Sequence, residues 1–309
     1  MCGLGFVLLS YMSHAWQLLI GFGLFVGMGM STHDVVTLST IAHWFVKRRG
    51  IMTGIVKIGT AAGQFTIPPI AAFLLVTYGW RPAFMMMGLG AIVLLLVAAW
   101  AFGVPPATTG SDPTETVSGY SFAEARRTRI FWMFCAIQFL FLPSLATIPL
   151  HIVVHGMDLG MTATVAAALV STMALASVLA RLAVGSFFDR VGGKGALILC
   201  LVPLLASLLA LLVVNTPKSL FAVIVVYGFA HGGLFTVMSP VVAEYFGLKA
   251  HGALFGSIIF FGAISGSVTP VLAGYIFDTT GSYSMAFNFL IAMASSGLIL
   301  TLVLPKRRA

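Results

Sequence analysis

Runs of about 18 or more apolar residues recur along the whole chain, and each is long enough to cross a hydrocarbon core of about 30 Å as a helix. Hydrophobic residues make up 60% of the 309 and charged residues only 8%, against about 25% charged in a soluble domain. No soluble core could hide that much apolar surface. The runs do not alternate, so they do not read as the strands of a β-barrel. The chain reads as an all-α polytopic membrane protein whose first partner is the lipid bilayer.

Gly, Pro and charge divide the runs into predicted helices at 1–12, 15–45, 51–77, 82–103, 130–155, 161–187, 195–214, 219–246, 252–277 and 284–304. The first is too short to span. The one long polar stretch, VPPATTGSDPTETVSGYSFAEARRTR at 104–129, reads as a linker from its Pro, Thr, Ser and Gly. It separates a segment 1–103 from a six-helix segment 130–309. Cys2, Cys135 and Cys200 lie in apolar runs without metal-ligand spacing, so neither a disulfide nor a metal is expected, and no cofactor is called for.

Net charge is +8. In a soluble protein this would suggest nucleic acid; here it reflects loop bias, and no nucleic-acid partner is expected. Alternate loops hold Lys47, Arg48 and Arg49, then Arg126, Arg127 and Arg129, then Arg190 and Lys194, then Lys249, then Lys306, Arg307 and Arg308, which is 12 of the 16 cations. The opposite loops hold Arg81 and Lys218. The positive-inside rule then predicts a multi-pass protein of the cell membrane with the 104–129 linker and the C-terminus in the cytoplasm.

The chain also repeats itself. At an offset of 202, Gly50 matches Gly252, Gly54 matches Gly256, Pro68 matches Pro270 and Gly79 matches Gly281; at 201, Gly27 matches Gly228, Ala42 matches Ala243, Trp44 matches Tyr245 and Phe45 matches Phe246. Repeats of this length belong early in any reading. Mapped back by that offset, the six helices of the second half place 1–12 as the tail of a third helix. The expectation is two six-helix halves with about two and a half helices of the first half absent. A ten-helix protein with a short re-entrant start is the alternative.

Two like halves around a cytoplasmic linker are one transporter plan. The stretch GSFFDRVGGK at 185–194 resembles the cytoplasmic Gly-x-x-x-Asp-Arg-x-Gly loop of the major facilitator superfamily, in its second-half copy. The Gly-rich GFGLFVGMG at 21–29 agrees with it. Within the superfamily, the stretch from Gly27 to Gly63, YGWRPAF at 78–84 and SVLARLAVG at 177–185 are similar to the monocarboxylate porter family. The resemblance implies the major facilitator fold and a monomeric transporter moving a small organic anion by alternating access, often with a proton.

Two cations remain inside helices. At 1.5 Å per residue, Lys57 lies about 15 Å in from Lys47, and Arg181 about 14 Å in from Arg190. An ionisable group at that depth costs roughly 2.5–3.5 kcal/mol on insertion scales and marks a pathway. The family plan makes these helices the fifth and eighth, packed together, and the matching arginine of family members binds the substrate carboxylate. Arg181 and Lys57 are thus the expected substrate-binding residues: Arg offers a planar fork and Lys a mobile point charge. Lys57 could instead pair with Asp34, which lies about 20 Å in. Asp34, His33 and His231 are the proton-coupling candidates, since histidine titrates near neutrality. Some family members hold an aspartate four residues before the arginine; here that position is Ser177. Asp189, Arg190, Lys194 and Glu244 at the cytoplasmic edge are expected to latch one conformation, against a reading as solvated loop charges. The glycine matches at 50/252, 54/256 and 59/262 are expected to allow close helix packing.

Three rivals stay open. A membrane enzyme would need acids and bases clustered at one face, but the eight acids are scattered and neither a His-x-x-x-His nor a His-Glu-x-x-His set is expected; no catalytic residue is assigned. A transport-dead truncated product or membrane sensor, and an efflux transporter of another small molecule, are the others.

Overall fold

The computed structural model describes residues 1–31, 33–45, 47–101 and 119–305. Lys306, Arg307, Arg308 and most of the 104–129 linker lie outside them. Among the described residues nine helices are long and apolar enough to cross a membrane, from Trp16–Trp44 to Ser284–Val303. They fall within a few residues of the ten predicted segments, whose first, α1 (Cys2–Ser10), is too short to span. The segments that follow are α2 (Trp16–Leu18), a π-helical stretch Leu19–Val26, α3 (Gly27–Ser31), α4 (His33–Trp44), α5 (Arg49–Tyr78) and α6 (Trp80–Ala101). After the linker come α7 (Phe122–Ala125), α8 (Arg129–Asp158), α9 (Ala163–Val191), α10 (Gly193–Leu211), α11 (Pro217–Phe246), α12 (His251–Thr280) and α13 (Ser284–Val303).

The helix starts follow capping chemistry. Thr128, Thr162 and Thr216 each accept a backbone N–H of the turn they open, from Phe131, Val165 and Ser219, meeting donors that an α-helix leaves orphaned. Ser121 and Glu124 form a reciprocal capping box on α7. The Ser121 hydrogen bonds hold the exposed Glu124 carboxyl below its usual range. Helix α9 runs four residues beyond the predicted end at 187, so Asp189 and Arg190 belong to its last turn and not to a loop. The helix stops only where Gly192, at φ +82, takes a conformation that a Cβ disfavours.

The chain forms two compact units. One comprises Met1–Trp44 and Ala62–Glu115. There α1 lies along α6 with Gly3 against Gly88: a Cβ on Gly3 would come within 2.6 Å of the Gly88 carbonyl oxygen. Phe6 and Phe22 close on Phe84 at 5.9 and 6.2 Å, and Arg81 lies over Trp80 at 4.2 Å while donating to the Met12 carbonyl.

The other unit comprises Phe45–Ala61 and Thr116–Ala309, so the first turns of α5 group with α7–α13. Helix α11 is its most buried member, packed on α9 and α10. Helix α8 pairs with α12, and α13 leans on α8 and α10. Lipid tails are as apolar as leucine, so burial alone does not drive such pairing; small residues and interhelical hydrogen bonds do. Tyr227 on α11 donates to the Ser144 carbonyl on α8 at 3.0 Å. At one end of this unit, the Glu244 carboxylate accepts from Gly193 N at 2.7 Å, capping α10. The Lys194 ammonium donates to the Leu302 and Leu304 carbonyls at the end of α13. Both charges oppose the local helix dipole. At the other end, His151 on α8 lies 3.0 Å from the Pro270 carbonyl through Nε2 and 3.1 Å from the Tyr283 hydroxyl through Nδ1. The carbonyl only accepts, so Nε2 carries the hydrogen and the tyrosine donates to Nδ1.

Candidate functional site

The site grows from two stripes of matching period. On α9, Ser177, Arg181, Gly185 and Asp189 recur every fourth residue, which puts them on one face. On α5, Gly50, Gly54 and Lys57 follow spacings of four and three. The stripes meet within one compact unit. A Cβ on Gly185 would lie 2.5 Å from the Gly50 carbonyl oxygen, and one on Gly54 would lie 3.0 Å from the Arg181 carbonyl carbon and closer still to its oxygen. Only glycine allows backbones this near. Gly59, expected to belong with them, meets nothing within 4 Å of its would-be Cβ. Spacing predicted packing there, but the residue turns away from any neighbour.

Where the stripes meet, Asp189 does for α5 what a capping residue normally does for its own helix. Its Oδ1 accepts from Gly50 N at 2.8 Å and its Oδ2 from Ile51 N at 3.1 Å. The carboxylate thereby meets two orphan donors and faces the positive end of the α5 dipole. Asp189, one of the four expected latch residues, thus reaches α5. Glu244 and Lys194 staple α10 and α13, and Arg190 is exposed.

Two turns inward, Arg181 is 1% exposed and Lys57 is 4% exposed. The Arg181 guanidinium donates through Nη1 to the Lys57 backbone carbonyl. The Lys57 ammonium sits over the ring of Phe235, 5.6 Å from its centroid. The same ring meets His231 edge-on at 4.9 Å, a turn earlier on α11 and within electrostatic reach of Arg181. His231 is itself buried. Its Nδ1 and the Oγ of buried Ser177 have no hydrogen-bond partner among the described residues. Buried polar atoms are rarely left so, and both flank the guanidinium-bearing turn of α9. Arg181, Lys57 and His231 thus converge, with Ser177 beside them. His33 and Asp34 pair with each other at 3.0 Å, partly exposed. Among the described residues no three His, Cys, Asp or Glu side chains could hold a metal ion.

A family model described as Major Facilitator Superfamily matches residues 1–169 and again 156–309. The chain belongs to the major facilitator superfamily. Among curated proteins, monocarboxylate transporter 13 of Rattus norvegicus is 30% identical over 314 residues, covering 98% of this chain and 71% of that protein. Monocarboxylate transporter 13 of Bos taurus is 29% identical over 97% of the chain and 70% of its own length, and monocarboxylate transporter 11 of Homo sapiens is 27% identical over 99% and 67%. Among solved structures, the superfamily transporter FucP in its outward conformation aligns with a TM-score of 0.67 at 15% identity, over 97% of this chain and 80% of that one. The chain is therefore a multi-pass membrane transporter of the monocarboxylate-transporter-like kind, with the major facilitator fold, and not an enzyme.

Sequence reading missed two parts of this superfamily member. Phe235 is one of 25 phenylalanines, and nothing in its neighbours marks it; only the fold sets it beneath a lysine. The pair His151 and His155, in HIVVH, corrects the expectation that no His-x-x-x-His spacing occurs, and the spacing puts both on one face of α8. His155 packs edge-on against Tyr283 and Phe287 at 5.9 and 5.3 Å.

Proposed function

We propose that this protein is a secondary active transporter for a small organic anion, a monocarboxylate, working as a monomer by alternating access. The observation that carries this reading is the pair of buried cations, Arg181 and Lys57, side by side with the orphaned polar atoms of Ser177 and His231. Both side chains hold positive charge where water is scarce, and a carboxylate complements that charge. The guanidinium accepts it through parallel N–H bonds, the ammonium adds a point charge, and the Ser177 hydroxyl is a further donor. The relatives named as monocarboxylate transporters support the same substrate class. The glycine-lined contact of α5 with α9, tied by Asp189, is the latch that closes in one conformation and parts in the other. The organisation is two repeated halves, 1–103 and 130–309, joined by 104–129. The linker and C-terminus lie on the cytoplasmic side of the cell membrane, an orientation supported by the placement of Lys and Arg.

The test is uptake of a labelled carboxylate panel into proteoliposomes. A short monocarboxylate should enter saturably, and Lys57→Ala should lower its uptake about tenfold or more, the scale of one charged hydrogen bond. A protein that ignores every carboxylate in the panel, or a Lys57→Ala variant that matches the wild type, overturns the reading.

We take His231 as the carrier of a coupled proton, with Asp34 and His33 as the other candidates. With the site empty, a proton on its imidazole would be a third positive charge in a buried cluster; with a carboxylate bound, that charge is offset. Proton and anion then favour each other's binding, as linkage requires. Uptake should therefore rise as the outside pH falls, and His231→Gln should flatten that profile. A pH profile unchanged in the variant would remove His231 from the mechanism.

A further inference from the structure

Phe235 was not singled out by its sequence, yet its ring meets two ionisable groups, Lys57 and His231. Helix α11 places His231 and Phe235 four residues apart, on one face. The ring is half-buried, with His231 edge-on at 4.9 Å and the Lys57 ammonium at 5.6 Å from its centroid. An aromatic face is electron-rich and its rim electron-poor. A cation within about 6 Å of the centroid is attracted, and the attraction strengthens when water is excluded. Lys57 is 4% exposed, so this contact is of the strong, desolvated kind.

We propose that Phe235 is the positioning residue for Lys57: its ring keeps the lysine charged and aimed beside Arg181, so that a carboxylate meets two cations and not one. This rests on the anion-transporter reading above. Without the ring, a second positive charge this close to a guanidinium is favoured less, and the ammonium gains rotational freedom. The ring acts on the substrate only through Lys57, and its contribution is to affinity. An ordinary packing role would depend on the shape of the side chain and not on its electron density.

The experiment separates these by replacing Phe235 with mono-, di- and trifluorophenylalanine, which drain the ring's negative face while nearly keeping its size. Two quantities are read. The first is KM for the carboxylate that wild type transports, expected to rise stepwise by about tenfold across the series, the scale of a desolvated cation–π contact, with KM changing more than kcat. The second needs no substrate: the rate at which Lys57 is acylated in the purified protein at fixed pH, read by mass spectrometry of its peptide, should rise with each fluorine as the uncharged amine becomes easier to form. Phe235→Leu should go at least as far as the trifluoro ring in both. Flat series, or a Phe235→Leu variant that behaves as wild type, overturn the inference. If the acylation series climbs while no carboxylate is transported, the ring–lysine contact stands, but its role in anion affinity falls with the transport assignment. If carboxylate uptake depends on Lys57 while both series stay flat, transport stands and the positioning role falls.

Discussion

Arg181→Lys is expected to cut carboxylate uptake by at least about 100-fold although it preserves the charge, because a planar fork and a point charge are not interchangeable at a bidentate site. Arg181 is 1% exposed, and its guanidinium reaches across to the Lys57 carbonyl on α5. A lysine from the same Cα carries one nitrogen on a flexible stem. It can hold the α5 carbonyl or meet a carboxylate, whereas the guanidinium presents N–H groups to both at once. The shorter head also leaves a void in a packed helix crossing, which costs stability as well. Measuring initial rates in proteoliposomes beside the thermal midpoint of the purified protein separates the effects. Uptake within about threefold of wild type, at unchanged stability, would remove the guanidinium from substrate binding.

Gly185→Leu should stop transport by a different route. Its Cβ would lie 2.5 Å from the Gly50 carbonyl oxygen and 3.1 Å from the Ile51 Cα. Both neighbours are backbone, so no side chain can rotate away. Overpacking of this kind costs about 1–3 kcal/mol where the structure can yield, and here it yields by letting the start of α5 move off α9. That movement also removes the two amide bonds to Asp189 and separates the Lys57 carbonyl from Arg181. Transport should fall about tenfold or more while the protein still inserts, since 1.4 kcal/mol already shifts a two-state equilibrium tenfold. A cysteine placed at buried Thr53 should become easier to label in the variant. Gly59→Ala is the control: on the same helix, with open space at its Cβ, it should transport normally and gain up to about 1 kcal/mol from helix propensity. Normal transport by Gly185→Leu would show that the α5–α9 approach is not needed for the cycle.

The contrast between those two glycines marks how far the sequence could be read. Helix number and limits followed from hydropathy, because a span must be about 20 apolar residues and little else can be. The depth of Lys57 and Arg181 followed from helical rise, and both are buried. Their meeting did not follow from rise. It needed to be known which helices neighbour each other, and that came from the family resemblance. Repeat spacing flagged Gly50, Gly54 and Gly59 alike; it carries no information about which face a third glycine presents once the period drifts. The Asp-Arg motif read as a loop because charge ends hydrophobic runs, yet α9 continues beneath it to Val191, and Asp189 uses that last turn to reach another helix. Phe235 was invisible because its role lies in what sits above it.

The clasp of His151, Pro270 and Tyr283 bears on where this molecule can bend. One imidazole uses both nitrogens to fasten α8 to α12 and to the turn before α13, inside a stack of rings that includes Phe277 and Phe287. Interlocked aromatic planes do not slide. The far pole of these three helices is in effect a knuckle, and whatever compliance the unit has is concentrated where carboxylates and ammoniums merely rest against helix tips.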